Sequence, residues 1–341
     1  MSNTDEATFE GNIEAHLVTN GWDALAPGGY DRDLGLFPAE VAAWLATSQP
    51  EEWQTLCTRH GSEAVAVQKV ATSLAAAIDH RGALSVLRDG DKNSGVRFDM
   101  TQFRPASGLN PQTEARYAAN RLAVVRQLHH SESNPRDSVD LCLVVNGIPV
   151  ATAELKNPFT GQGLDHSMAQ YRRERNPHDL IFRGRTLVHF AVDTHQVAMT
   201  TRLEGEATRF LPFDQGSAGP GNPGTAGNPP SNGYQSAYLW QEVWQRDNWL
   251  ELIGSFIQQS KDGGSWRVLF PRYHQWHAVR SILAATRRDG AGVDRLIQHS
   301  AGSGKSNTIA WSAHLLSRLH GADDTPIFDK VVVITDRTEL D

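Results

Sequence analysis

Cysteine is nearly missing: Cys57 and Cys142 are the only two among 341 residues. That excludes a disulfide framework and a four-thiolate zinc site. No run of eighteen apolar residues occurs, so no membrane span is indicated. The opening stretch, "MSNTDEATFEGN", has neither the basic nor the apolar block of a signal or transit peptide. Internal repeats are absent too. Together these absences predict a cytoplasmic protein with no membrane partner. The composition, 39% hydrophobic and 21% charged, is ordinary for a soluble chain, and the length allows two domains with separate cores.

Positive charge is scarce where the chain begins. Residues 1–63 carry eleven acids against Arg32 and Arg59, a balance of −9 within a total of −7, so the remainder stands at +2. Inside that remainder, "QYRRERNPHDLIFRGR" (170–185) sets five arginines against Glu174 and Asp179. The stretch reads equally as a local basic face or as a solvated helix surface.

Phe9, Ile13 and Leu17 recur four apart, a helical stripe closed by Gly21. Helical patterns follow at 38–47 and 62–80, and "GVRFDMTQF" alternates as a strand does. A short helix after Pro111 leads to the strand "RLAVVRQLHH", a hairpin, the helix "GLDHSMAQYRRER", and the strands "TLVHFAVDT" and "QVAMTTRL". This order predicts an α/β fold over residues 1–212, a mixed sheet flanked by helices. Residues 213–237 are dense in Gly, Pro, Asn and Ser and read as a loop or linker. From 238 to 341 a Trp-rich helical segment leads into a new α/β pattern.

In that pattern "HSAGSGKS" (299–306) lies between an apolar stretch at 293–298, expected as a strand, and a helix beginning near Lys305. Strand, glycine loop and helix are what a P-loop needs. Gly302 and Gly304, with Ser303 between them, let backbone N–H groups face a polyphosphate at the helix N-terminus. Lys305 would reach the β- and γ-phosphates of ATP, and the Ser306 hydroxyl would hold Mg2+. His299 stands where the usual pattern has its first glycine, a departure that suits helicase-like motors. Gln275 in "FPRYHQWHAVRSIL" reads either as an adenine contact or as a surface helix glutamine. "VVVITDRTELD" (331–341) is expected as a buried strand ending in a DNA-contacting loop. No further acid pair or arginine finger follows, so the motor domain is expected to be truncated.

The hairpin "DLCLVVNGIPVATAELKN" (140–157) carries acids and a lysine where apolar residues would pack better. Glu154 and Lys156 are two apart on a strand and share a face, with Asp140 on the partner strand. Two converging carboxylates can bind Mg2+, which suits a phosphodiester substrate. A nearby lysine can position the nucleophile and offset developing charge. The ordinary two-residue Asn146-Gly147 turn, extended regularly, would pair Asp140 with Ala153 and turn Glu154 away. A convergent site therefore requires an odd offset: most simply a three-residue loop, otherwise a bulge elsewhere in the hairpin. Asp…Glu-x-Lys also arises on half-exposed, ion-paired strands; the helix bearing Gln170 and the P-loop downstream favour the catalytic reading. His274 and His277 lie three apart without a Cys or acid at ligand spacing, so they make no zinc site.

The spacing is that of the PD-(D/E)xK nuclease pattern. With "FEGNIEAHLVTNGW", "NGIPVATAELKNPFTGQ", "QYRRERNP", "HFAVDTHQVAMTTRL", "LFPRYHQWHAVR" and "IQHSAGSGKSNTIAW", the chain resembles the N-terminal third of a type I restriction endonuclease R subunit. That resemblance implies a restriction-endonuclease-like sheet followed by an incomplete RecA-like domain. It makes Asp140, Glu154, Lys156 and Gln170 nuclease residues and assigns Gly302 to Ser306 to an ATP-dependent translocase on double-stranded DNA. It also implies methyltransferase and specificity subunits as partners, the latter reading the recognition sequence. The family's Gln-x-x-x-Tyr is not matched: Tyr171 follows Gln170 directly, and Glu174 takes the fourth position. Glu10 and Glu14 read either as further carboxylates near the metal or as plain helix acids. Two alternatives stand beside this reading: an inactive DNA- or subunit-binding remnant, and a P-loop ATPase without nuclease activity.

Overall fold

A computed structural model describes residues 6–105, 110–157, 161–262 and 265–334. The chain opens with α1 (Glu6–Thr19) and β1 (Asp23–Ala24), then α2 (Pro38–Ser48), α3 (Pro50–His60), α4 (Glu63–Arg81) and α5 (Ala83–Asp89). A ribbon, β2 (Asp91–Asn93) and β3 (Val96–Phe98), precedes α6 (Pro111–Ala118). Then come β4 (Leu122–His129), β5 (Ser138–Val145), β6 (Ile148–Leu155), α7 (Leu164–Arg173), β7 (Val188–Val192), β8 (Val197–Thr200) and β9 (Leu211–Pro212). The remainder holds α8 (Arg246–Glu251), the ribbon β10 (Gln258–Asp262) and β11 (Ser265–Leu269), α9 (Tyr273–Asp289) and α10 (Lys305–Leu316).

Local signals set the helix ends. Ser62 accepts from the Val65 N–H to start α4, Asn110 accepts from Gln112 and Thr113 to start α6, and Gly61 in the left-handed region (φ 84°) ends α3. The expected stripe of α1 is buried: Phe9, Ile13 and Leu17 face the core.

The main sheet has seven strands in the order β1-β4-β5-β6-β7-β8-β9. It is mixed, because β1 runs parallel to β4 and β6 parallel to β7 while the other pairs are antiparallel. Its two faces pack into separate apolar clusters. One gathers α1, α2, α4, α5 and the Trp-rich segment with Leu141, Leu143, Ala153 and Leu155; the other gathers Tyr171, Ile181 and Phe182 with Val125, Cys142 and Val144. Every residue of β6 is buried, so any charge on it lies inside the protein.

The hairpin turn is the two-residue form: Val145 pairs with Ile148, with Asn146 (φ 51°) and Gly147 (φ 86°) both left-handed. The three-residue loop does not form, because the Asn146 amide is locked in place. It accepts from Arg121 N–H (2.7 Å) and donates to the Met100 carbonyl (2.8 Å) and Asn120 Oδ1 (2.9 Å). The offset comes instead from a bulge. Val144 pairs with Pro149, but Leu143 pairs with Ala151, so Val150 is the extra residue. Pro149, which has no N–H for the ladder, sits beside the irregularity. Ile148, Val150, Ala151, Ala153 and Leu155 all belong to the first cluster. The slip therefore sends Thr152 and Glu154 to the opposite face.

One other expectation changes. Of "GVRFDMTQF" only Val96–Phe98 is strand, paired with β2 in a ribbon apart from the main sheet. The segment 214–236 is tied down: Asn228 donates to His195 O and Asp214 Oδ1, and Gln215 donates to the Tyr273 hydroxyl on α9. The Trp-rich segment is core as expected, with Trp240, Trp244 and Trp249 buried. It includes two wide helical turns, closed by Trp244 N–H to Leu239 O and Ile257 N–H to Leu252 O.

Loss of the Asn146 amide would strand the Arg121 N–H and the Met100 carbonyl. Asn146→Ala is expected to lower stability by about 3 kcal/mol, read as a denaturant-midpoint shift at unchanged slope; a loss below about 1 kcal/mol would show that the turn does not hold the hairpin.

Candidate active site

The bulge turns Asp140 and Glu154 towards the same face of the sheet. The pairing of Cys142 with Thr152 and Leu141 with Ala153 leaves Asp140 and Glu154 as the next residues on the two strands, and the Asp140 carboxylate meets the Leu155 N–H. Glu154 is fully buried, and its Oε1 accepts a 2.6 Å hydrogen bond from Arg175 Nε. Glu154 Oε2 is buried with no hydrogen-bond partner. Asp140 is anchored by both oxygens: Oδ1 accepts from Gln127 Nε2 (3.2 Å) and Oδ2 from the Leu155 N–H (2.7 Å). Lys156 follows the end of β6, its N–H donating to Val192 O and its Nζ reaching Glu6 Oε2 at 3.2 Å.

The electrostatics of Glu154 follow from this placement. Burial, aided by the nearby Asp140 charge, pushes its carboxyl up to about 8, against the pull of Arg175 and Lys156. Glu10 on α1 is also buried and shifted upward by the same two causes, burial first and Asp140 second. A site that raises two carboxyls in this way has excess negative charge for its depth, and a cation would relieve it. Among the described residues no three His, Cys, Asp or Glu side chains gather as a ready metal cage. Asp140 and the unpartnered Glu154 oxygen nonetheless fit a hard cation that keeps most of its ligands as water.

Two residues here, Arg175 and Gln127, were not singled out from sequence as part of the site. Arg175, one of the five arginines at 170–185, is buried against Glu154 and also donates to Ser138 O. Arg185 is buried as well, held by Asp79 and Leu34 O, so this stretch is not simply a basic face. Gln127, on β4, links Asp140 to Glu10. Glu10 is joined to Asp140 through Gln127, whereas Glu14 lies farther out on Arg126. Gln170 keeps a buried Oε1 without a partner. Tyr171 turns to the apolar cluster, its hydroxyl on Thr152 Oγ1 (2.8 Å), which also meets His189 Nδ1 (2.8 Å).

The second constellation is assembled in part. Helix α10 begins at Lys305 as expected, and Gly304 holds φ 80°. Gln275 is buried against the loop and donates to the Ser303 and Gly304 carbonyls at 3.1 and 3.0 Å. Lys305 Nζ folds back on the carbonyls of His299 and Ser300, while Ser306 is exposed. The stretch 293–298 is not a strand, and Leu296 is 91% exposed. Nor does 331–334 form one, with Ile334 90% exposed. A strand needs hydrogen-bonded neighbours, and among the described residues neither stretch has one. The polar loop expected at 335–341 lies outside the described residues.

The Glu154 shift makes a pH prediction for the metal-free protein. The folded-state value lies above the ordinary 4.5, so the neutral form's contribution is complete at low pH and lost as pH rises towards about 8. In chelator, wild type is expected to lose melting temperature relative to Glu154→Gln between pH 5 and 8.5. Parallel profiles for the two proteins would remove Glu154 as the source.

Known proteins align with the chain in two successive segments. Residues 62–211 match the family model for the type I restriction enzyme R protein N terminus, and residues 274–341 match that of the SWI2/SNF2 ATPase. The type I restriction enzyme HindI endonuclease subunit of Haemophilus influenzae is 26% identical over 234 residues. That alignment covers 65% of this chain and 21% of the relative, so the chain spans about a fifth of the relative's length. These successive matches support reading the chain as the N-terminal portion of a type I restriction endonuclease R subunit.

Proposed function

We propose that residues 1–212 are an Mg2+-dependent DNA endonuclease domain and that 238–341 begin an ATP-driven translocase, with 213–237 connecting them. The partners in this reading are double-stranded DNA and the methyltransferase and specificity subunits of a restriction-modification complex. The observation that carries it is the bulge at Val150, which puts Asp140 and Glu154 on one face with a buried carboxylate oxygen left over.

Asp140 and Glu154 would hold the metal, which when bound polarises the scissile phosphate and lowers the pKa of water. The Leu155 N–H and Gln127 fix the Asp140 carboxylate, so it does not reorganise during the reaction. Arg175 balances the Glu154 charge and holds Oε1 in place. Lys156 Nζ, now paired with Glu6, would turn to the phosphate and steady the charge that develops on its oxygens. The unpartnered Gln170 oxygen is free to accept from an attacking water. In the second domain Lys305 would exchange the His299 and Ser300 carbonyls for nucleotide phosphates. No helix among the described residues is long and apolar enough to cross a membrane.

In enzyme reconstituted with its partner subunits, Glu154→Ala and Lys156→Ala are expected to abolish plasmid cleavage, with ATP turnover within about twofold of wild type. Equal loss of both activities with the fold intact would refute the separation of roles. Lys305→Ala is expected to remove ATP hydrolysis and, with it, translocation-dependent cleavage, since the lysine stabilises charge on the transferred phosphoryl group. Undiminished turnover would overturn the P-loop assignment.

A further inference from the structure

Gln127 is a non-glycine residue with φ 48° in the interior of β4, a conformation that side chains with a Cβ rarely adopt. The strand register on either side is regular, Arg126 opposite Leu141 and Leu128 opposite Val139, so no inserted residue explains it. What the strained backbone presents is the side-chain amide. Its Nε2 donates to Glu10 Oε1 at 2.8 Å and to Asp140 Oδ1 at 3.2 Å, and its Oε1 accepts from the Ser138 hydroxyl at 2.9 Å. One amide nitrogen has two hydrogens, and here each is directed at a different carboxylate. Glu10 is itself anchored by Arg126 from the far side.

We propose that Gln127 is a positioning residue of the nuclease site. It is a crossbar between α1 and β5 that sets the orientation of Asp140 for a divalent cation, at the cost of local backbone strain. This rests on the metal-site reading above. Glutamine suits the task because its amide is neutral: a lysine would compete with the cation, and a glutamate would add a third charge. Strain held at a functional position is retained when the group it orients is needed there. The Asp140 oxygen that receives the amide keeps a lone pair for a cation, because a carboxylate has about four acceptor sites.

Two substitutions separate strain from reach. Gln127→Asn tolerates positive φ but is one methylene too short to span both carboxylates, and Gln127→Gly relieves the strain and removes the amide. Both are expected to remain folded in chelator, with relief of backbone strain offsetting much of the lost hydrogen bonding. Both should weaken Mn2+ binding, followed by calorimetry, by roughly 10- to 100-fold, as is usual when a group behind a metal ligand is lost. In the reconstituted enzyme, cleavage should fall at low Mg2+ and recover towards wild-type rates at saturating Mg2+, which a generally damaged fold would not do. Wild-type Mn2+ affinity in both variants, with Asp140→Ala and Glu154→Ala losing it, would overturn the role of Gln127 alone. Wild-type affinity in all four would overturn the metal site itself.

Discussion

One extra residue in a β-hairpin decides which way the acids of this protein face. Side chains on a strand alternate, so the tight Asn146-Gly147 turn alone would place Asp140 and Glu154 on opposite sides of the sheet. Val150 breaks the alternation, and every residue after it changes face. Both faces of β6 are buried, so the slip cannot be undone cheaply: moving Glu154 back would place a carboxylate in the apolar cluster that holds Ala153 and Leu155. The turn is fixed by the Asn146 amide and by the space at Gly147, where a Cβ would meet Val41 and the Phe37 carbonyl at 2.6 to 2.8 Å. Turn, bulge and buried site are therefore a single arrangement.

Much of this was legible in the sequence. The stripe of Phe9, Ile13 and Leu17, the capped helices and the strand run from Leu122 to Leu155 follow local periodicity, which a sequence displays directly. The need for an odd register offset also followed from counting residues, but its location did not. A three-residue loop and a bulge satisfy the same parity, and the choice was made by contacts to Met100 and Asn120, distant in sequence. Gln127 and Arg175 were invisible as site residues for the same reason. A glutamine in a strand and an arginine after a helix carry no pattern, and only the register across β4 and β5 and the end of α7 bring them to the carboxylates.

The glycine-rich loop ahead of α10 shows the opposite case. Its glycines, Lys305 and the following helix were plain from the motif, yet the flanking apolar segments do not form strands. Periodicity reports what a segment could pair with, whereas a sheet requires the partner to be there. Gln275 is intermediate: its position ahead of the loop allowed either an adenine contact or a surface helix glutamine, and its buried amide holds the loop's own carbonyls.

Those unpaired segments bear on how the chain behaves in solution. Leu296, Val332, Val333 and Ile334 are exposed, and among the described residues no sheet takes up their backbone groups. Short apolar stretches of this kind act as templates for pairing with a second chain. The sheet around Glu154 has no comparable opening, since β5, β6 and β7 are interior strands. The carboxylate site is therefore closed to strand addition on either side.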